Sequence, residues 1–117
     1  IKNRYNAMRF PSLSFLVKTN PYSSDNIKAC NLAFWREDFI AINGYNNLFF
    51  GWGSEDCEFA ARLINAGVLK KRLKLAAICF HLHHNLNSKS QYIVNDLRYS
   101  ETKINKLIFC PDGYAEV

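Results

Sequence analysis

The stretch "FFGWGSEDCEFAARL", residues 49 to 63, sets two glycines around a tryptophan and two adjacent carboxylates at the head of an apolar helical pattern. Gly51 and Gly53 let the backbone turn sharply and approach a ligand closely. Trp52 between them is poorly placed for a core and suits stacking on the apolar face of a sugar or base. Glu55 and Asp56 fall in the first turn of a predicted helix, where the dipole favours their charged forms. A carboxylate held ionised there can act as a general base on a substrate hydroxyl within hydrogen-bond reach. The same residues also suit an ordinary helix start, with Ser54 as the N-cap.

A second cluster is "HLHH". All three histidines, His81, His83 and His84, lie within four residues. On a strand, His81 and His83 share one face and His84 points to the other. Neutral imidazoles are good transition-metal ligands, although a complete site needs further ligands from elsewhere. A polar strand end is the plainer alternative. Asn31 stands inside the apolar run "CNLAFW"; if buried, it needs a hydrogen-bond partner in a ligand or a neighbouring loop.

Those side chains need elements to position them. "SLSFLV" (12–17) suits a short strand, and "TNPYSSDN" (19–26) a loop. "IKACNLAFW" (27–35) reads as a buried strand. "REDFIAING" (36–44) reads as a short helix stopped by Gly44, with Phe39 and Ile40 inward. An aromatic loop (45–53) leads to a helix from Ser54 to about Ala66, ended by Gly67, with Phe59, Leu63 and Ala66 on one face. "KLAAICFHLHH" (74–84) alternates like a strand. Residues 88–107 read as a polar-faced helix with Tyr92, Leu97 and Ile104 at apolar positions, and a tail with a Pro-Asp-Gly turn follows. Strands alternating with helices predict an α/β class, with a thin mixed sheet flanked by helices.

The chain has 117 residues, enough for one small domain, 1–117. Its composition is 49% hydrophobic and 15% aromatic, which supports a packed core and argues against disorder. The formal net charge of +5 permits an anionic partner. The densest cationic cluster is Lys70, Lys71, Arg72 and Lys74, either a solvated edge or a binding patch. It lacks the interleaved aromatics of a nucleic-acid surface, so nucleic acid is not expected as a partner. The four cysteines form no Cys-x-x-Cys pair. Cys30 and Cys79, inside apolar runs, read as small buried hydrophobes, and a reduced thiol set is the simpler expectation. No run is long enough to span a bilayer.

"CNLAFWREDFIAINGYNNLFFGWGSEDCEFAARLINAG", followed by "ICFHLHH", resembles the C-terminal half of inverting glycosyltransferases of the GT-A fold. The likeness is to the galactosyltransferase C-terminal type of family 7 and of many bacterial family 2 enzymes. It covers roughly residues 29–84. The resemblance implies a nucleotide-diphosphate sugar donor and a saccharide acceptor. It implies Asp56 as general base, Trp52, Gly53 and Glu55 as acceptor-binding residues, and Asn31 beside the donor sugar. His81 matches a histidine that completes a divalent-metal site, usually Mn²⁺, and His84 stands beside it as a second candidate ligand.

The family's Asp-x-Asp metal motif is absent from the chain. The expectation is therefore the acceptor-side part of a longer enzyme, with little transfer activity of its own. A carbohydrate-binding module without catalysis is the alternative. The family 2 likeness and the reduced-looking cysteines lean towards a bacterial cytoplasmic enzyme of polysaccharide biosynthesis, with room for peripheral association at the inner face of the membrane.

Overall fold

The computed structural model describes residues 9–77, 79 and 88–116. Three α-helices organise them: α1 (Arg36–Ala41), α2 (Glu55–Asn65) and α3 (Tyr92–Ile104). Short 3-10 turns at Pro11–Leu16, Ala29–Asn31 and Tyr114–Glu116 complete the regular structure. Helices α2 and α3 pack on each other. No helix among the described residues is long and apolar enough to cross a membrane.

The expected sheet is not there: the described residues contain no strand. Where the predicted strands are described, turns stand in their place. Pro11 starts a 3-10 turn across 11–16 instead of a ladder, having no N–H to give one. In 27–35 the N–H groups of Asn31 and Leu32 turn back to the carbonyls of Lys28 and Ala29, at 3.1 and 3.3 Å. In 74–84 the chain turns at residues 74–76, with Leu75 at φ 66° and the Ala77 N–H on the Leu73 carbonyl at 3.1 Å. The remainder of that segment, apart from Cys79, lies outside the described residues. Alternating apolar residues make a strand only where a second strand takes up the backbone groups. Cys30 and Cys79 are exposed rather than buried, and all four cysteines are free thiols.

The helices end in one way. Asn43, Gly67 and Lys106 take left-handed conformations at φ 63°, 94° and 50° just past α1, α2 and α3. The next N–H then returns to a carbonyl five residues back: Gly44 to Phe39 at 2.8 Å, Val68 to Leu63 at 3.0 Å and Leu107 to Thr102 at 3.1 Å. This closure satisfies carbonyls that a helix end otherwise leaves orphaned. Gly67 stops α2 as its sequence suggests, whereas Asn43, one residue before Gly44, makes the turn after α1.

The core is small. Ile42, Phe59 and Leu63 are buried, with Leu32, Phe39, Tyr45 and Val68 packed against them. Phe59 is its hub: Phe34 lies 4.9 Å away, and the Tyr45 ring stacks on it at 4.3 Å with planes 9° apart. Ile40, expected inward, is exposed.

Helix α3 reverses its expected faces. Asn95, Tyr99 and Thr102 are buried, while Leu97 is 67% and Ile104 79% exposed. Hydrogen bonds explain the inversion. Asn95 Nδ2 donates to the Phe50 carbonyl at 3.0 Å, and Thr102 Oγ1 to Glu58 at 3.2 Å. The Tyr99 hydroxyl lies 2.7 Å from Ser24 Oγ and donates to Asp25 at 2.6 Å. The buried face of α3 is a ladder of polar anchors to the loops and to α2.

Candidate functional site

Asp56 sits in the first turn of α2, half-buried. Its Oδ2 accepts the backbone N–H of Ala29 at 2.7 Å, and its Oδ1 accepts the Tyr45 hydroxyl at 3.5 Å, a long contact. One oxygen is therefore fixed and the other only loosely engaged. Burial pushes the Asp56 carboxyl above its ordinary value; the Ala29 N–H opposes that, Glu55 adds to it and the Tyr45 hydroxyl opposes it. The helix dipole favours the opposite direction. Burial outweighs it, and α2 carries Glu55, Asp56 and Glu58 together in its first turn. A carboxyl moved towards the working pH range is a stronger proton acceptor once ionised.

Tyr45 belongs to the site; its residue type alone does not single it out, although it lies within the stretch that resembles the glycosyltransferases. Its phenol is pushed up to about 12, first by burial and then by the Asp56 charge, so it stays protonated and donates. A buried ion pair positions it. Arg62 Nε and Nη2 hold the Glu58 carboxylate at 2.8 and 3.0 Å. Arg62 Nη1 and Nη2 also donate to the carbonyls of Ile42 and Gly44, both at 2.7 Å. Helix α2 thus grips the turn that ends α1, and Tyr45 follows directly. The i, i+4 spacing of Glu58 and Arg62 on an otherwise apolar face was the available signal.

Ser54 occupies the N-cap position but does not cap. It is left-handed at φ 64°, and its Oγ donates to Asp96 on α3 at 3.1 Å. Glu55 folds back to accept the Gly53 N–H at 2.8 Å, so it shapes the bend. Trp52 is 40% exposed and stacks on Tyr92 at 5.8 Å, with the Lys89 ammonium 5.0 Å from its ring. Gly53 is at φ 125°, and a Cβ there would stand 2.6 Å from the Tyr92 ring. Gly53→Ala should therefore cost about 1–3 kcal/mol and separate Trp52 from Tyr92. Urea unfolding and Trp52 fluorescence check this.

Asn31 is exposed, not buried as its apolar neighbours suggest, and lies two residues from the Ala29 anchor. The structure thus brings together Asp56, Tyr45 and the 29–31 turn, with Glu55, Gly53 and Trp52 adjacent in the chain. His81, His83 and His84 lie outside the described residues. Among the described residues no group of three or more His, Cys, Asp or Glu side chains could hold a metal ion.

A family model described as the N-terminal domain of galactosyltransferase matches residues 11–85. That description does not carry the C-terminal placement drawn from the motifs, nor the link to family 2. The chain is 30% identical over 60 residues to mouse beta-1,4-galactosyltransferase 1, covering 50% of this chain and 15% of that protein. It is 43% identical over 47 residues to fruit-fly beta-1,4-galactosyltransferase 7, covering 40% of this chain and 15% of the relative. Both relatives are animal proteins, and the matched stretch spans only a small part of each. No solved structure matches the chain. On the extent of the family match, the chain belongs to the galactosyltransferase family that this model describes.

Proposed function

We propose that the chain forms the acceptor side of a galactosyltransferase that inverts the transferred sugar. Asp56 Oδ1 takes the proton of a saccharide hydroxyl. The hydroxyl oxygen forms a bond to the anomeric carbon of a nucleotide-diphosphate sugar, and the bond from that carbon to the diphosphate breaks, the diphosphate leaving with the electron pair. Trp52 offers the acceptor an apolar surface. Attack opposite the leaving group inverts the anomeric centre. The names of the relatives supply the sugar, galactose, and a saccharide product.

The observation that carries this reading is the state of Asp56: Oδ2 anchored at 2.7 Å, Oδ1 held only by a long contact, and the carboxyl raised by burial. A divalent ion on His81 and His84, of the Mn²⁺ kind, belongs to the proposal as a source of charge neutralisation at the diphosphate. The proton transfer rests on Asp56 and needs no ion.

Tyr45→Phe tests the assignment. The Tyr45 hydroxyl lowers the Asp56 pKa, so its removal should move the acid limb of kcat/KM for galactosyl transfer to higher pH. Well above that limb the rate should change little. An unmoved limb would assign the titration to another group. Saccharide binding through Trp52 with no transfer by the intact protein would make the domain a carbohydrate-binding module instead.

A further inference from the structure

A cleft of about 1120 Å³ runs between residues 18–33 and 70–79. Six cations line it: Lys18 and Lys28 from the first segment, and Lys70, Lys71, Arg72 and Lys74 from the second. Asp25 is the single carboxylate of the lining among the described residues. That carboxylate is already engaged, with the Tyr99 hydroxyl at 2.6 Å and the Lys103 ammonium at 3.5 Å. Lys70 is tied to the Ser23 carbonyl, which joins the two walls. The other five cations are exposed and face the cleft without a carboxylate partner among the described residues.

The lining also says which anion fits. No aromatic side chain borders the cleft among the described residues, so a nucleobase has no ring to stack on there. Thr19, Asn20, Asn26 and Asn31 supply hydroxyl and amide groups, which both donate to and accept from sugar hydroxyls. The position matters as well. Ala29, whose N–H anchors Asp56, sits between Lys28 and Cys30, both of which line the cleft. One short turn therefore holds the candidate base and borders the cationic cleft.

We propose that this cleft binds an acidic saccharide, a sugar chain bearing sulfate, phosphate or carboxylate groups, and holds it beside Asp56. The inference rests on the galactosyl-transfer reading and deepens it by making the acceptor acidic.

Calorimetric titration of the intact protein tests it, with a sulfated tetrasaccharide, its desulfated counterpart and uridine diphosphate as probes. The sulfated sugar should bind roughly tenfold tighter than the desulfated one, and the preference should shrink as salt is raised. Combining Lys71→Gln, Arg72→Gln and Lys74→Gln should abolish the preference. Combining Arg9→Gln, Arg36→Gln and Lys106→Asn, which removes as many charges outside the cleft, should keep it. Equal affinity for both sugars, or equal loss in both variants, overturns the inference. So does uridine diphosphate binding that displaces the sulfated sugar and is lost only in the cleft variant. If the preference holds but Asp56→Asn leaves transfer untouched, the transfer reading falls and the cleft stands as an acidic-saccharide site.

Discussion

Asp56→Asn is expected to lower kcat for galactosyl transfer by about two to four orders of magnitude, with saccharide affinity nearly unchanged. Asparagine keeps an oxygen for the Ala29 N–H, so the 2.7 Å anchor survives while the base is lost. Stability should move the other way or not at all. The carboxyl is raised in the fold above its ordinary value of 3.8. Its favourable contribution is therefore present below that value and is lost as pH rises through the raised one. At neutral pH the fold carries a half-buried charge there, and a neutral amide removes it. The urea midpoint of the variant should equal or exceed that of the unchanged protein at pH 7. A large drop in stability with unchanged turnover would make Asp56 a structural anchor only.

Arg62→Met should be the most destabilising single change at this site, by about 3–5 kcal/mol. Arg62 is fully buried and Glu58 is 2% exposed. Loss of the guanidinium strands the Glu58 carboxylate with Thr102 as its remaining partner and removes the donor from the Ile42 and Gly44 carbonyls. The second variant, Glu58→Leu with Arg62→Met, removes the stranded charge and should recover part of the loss, while the two carbonyls keep only long contacts from Cys110, at 3.5 Å or more. Urea denaturation of the single and double variants measures both. A loss below 1 kcal/mol for Arg62→Met would mean that water reaches the pair. The same change loosens the 42–45 turn, so transfer by the folded fraction should fall with it.

What was legible in the sequence follows from how local each signal is. Gly67 ends α2 because its stop is written in one residue's backbone freedom. Residues 54–66 read as a helix through their period, and the GWGSED stretch stands out as a candidate site because its residue types do not suit a core. The absence of a strand among the described residues has a complementary reason. An apolar alternation in 27–35 is compatible with a strand, but a strand exists only with a partner, and no local pattern supplies one. The inward face of α3 was hidden because Asn95, Tyr99 and Thr102 are buried by hydrogen bonds to Phe50, Asp25 and Glu58, which are 45, 74 and 44 residues away. The direction of the Asp56 shift was likewise set by burial against distant chain, which outweighs the helix end. The residue type of Ser54 suits a cap, but Asp96 on α3 captures its hydroxyl instead.

In the proposed reaction a half-buried Asp56 carboxylate meets a saccharide hydroxyl. Carbon-13 NMR titration of that carboxyl in the intact protein, with and without a saccharide acceptor, tests it most directly. The expected result is a pKa above the ordinary carboxylate value in the free protein and a change in both shift and pKa when the saccharide is added. An ordinary pKa that is indifferent to the saccharide would contradict it.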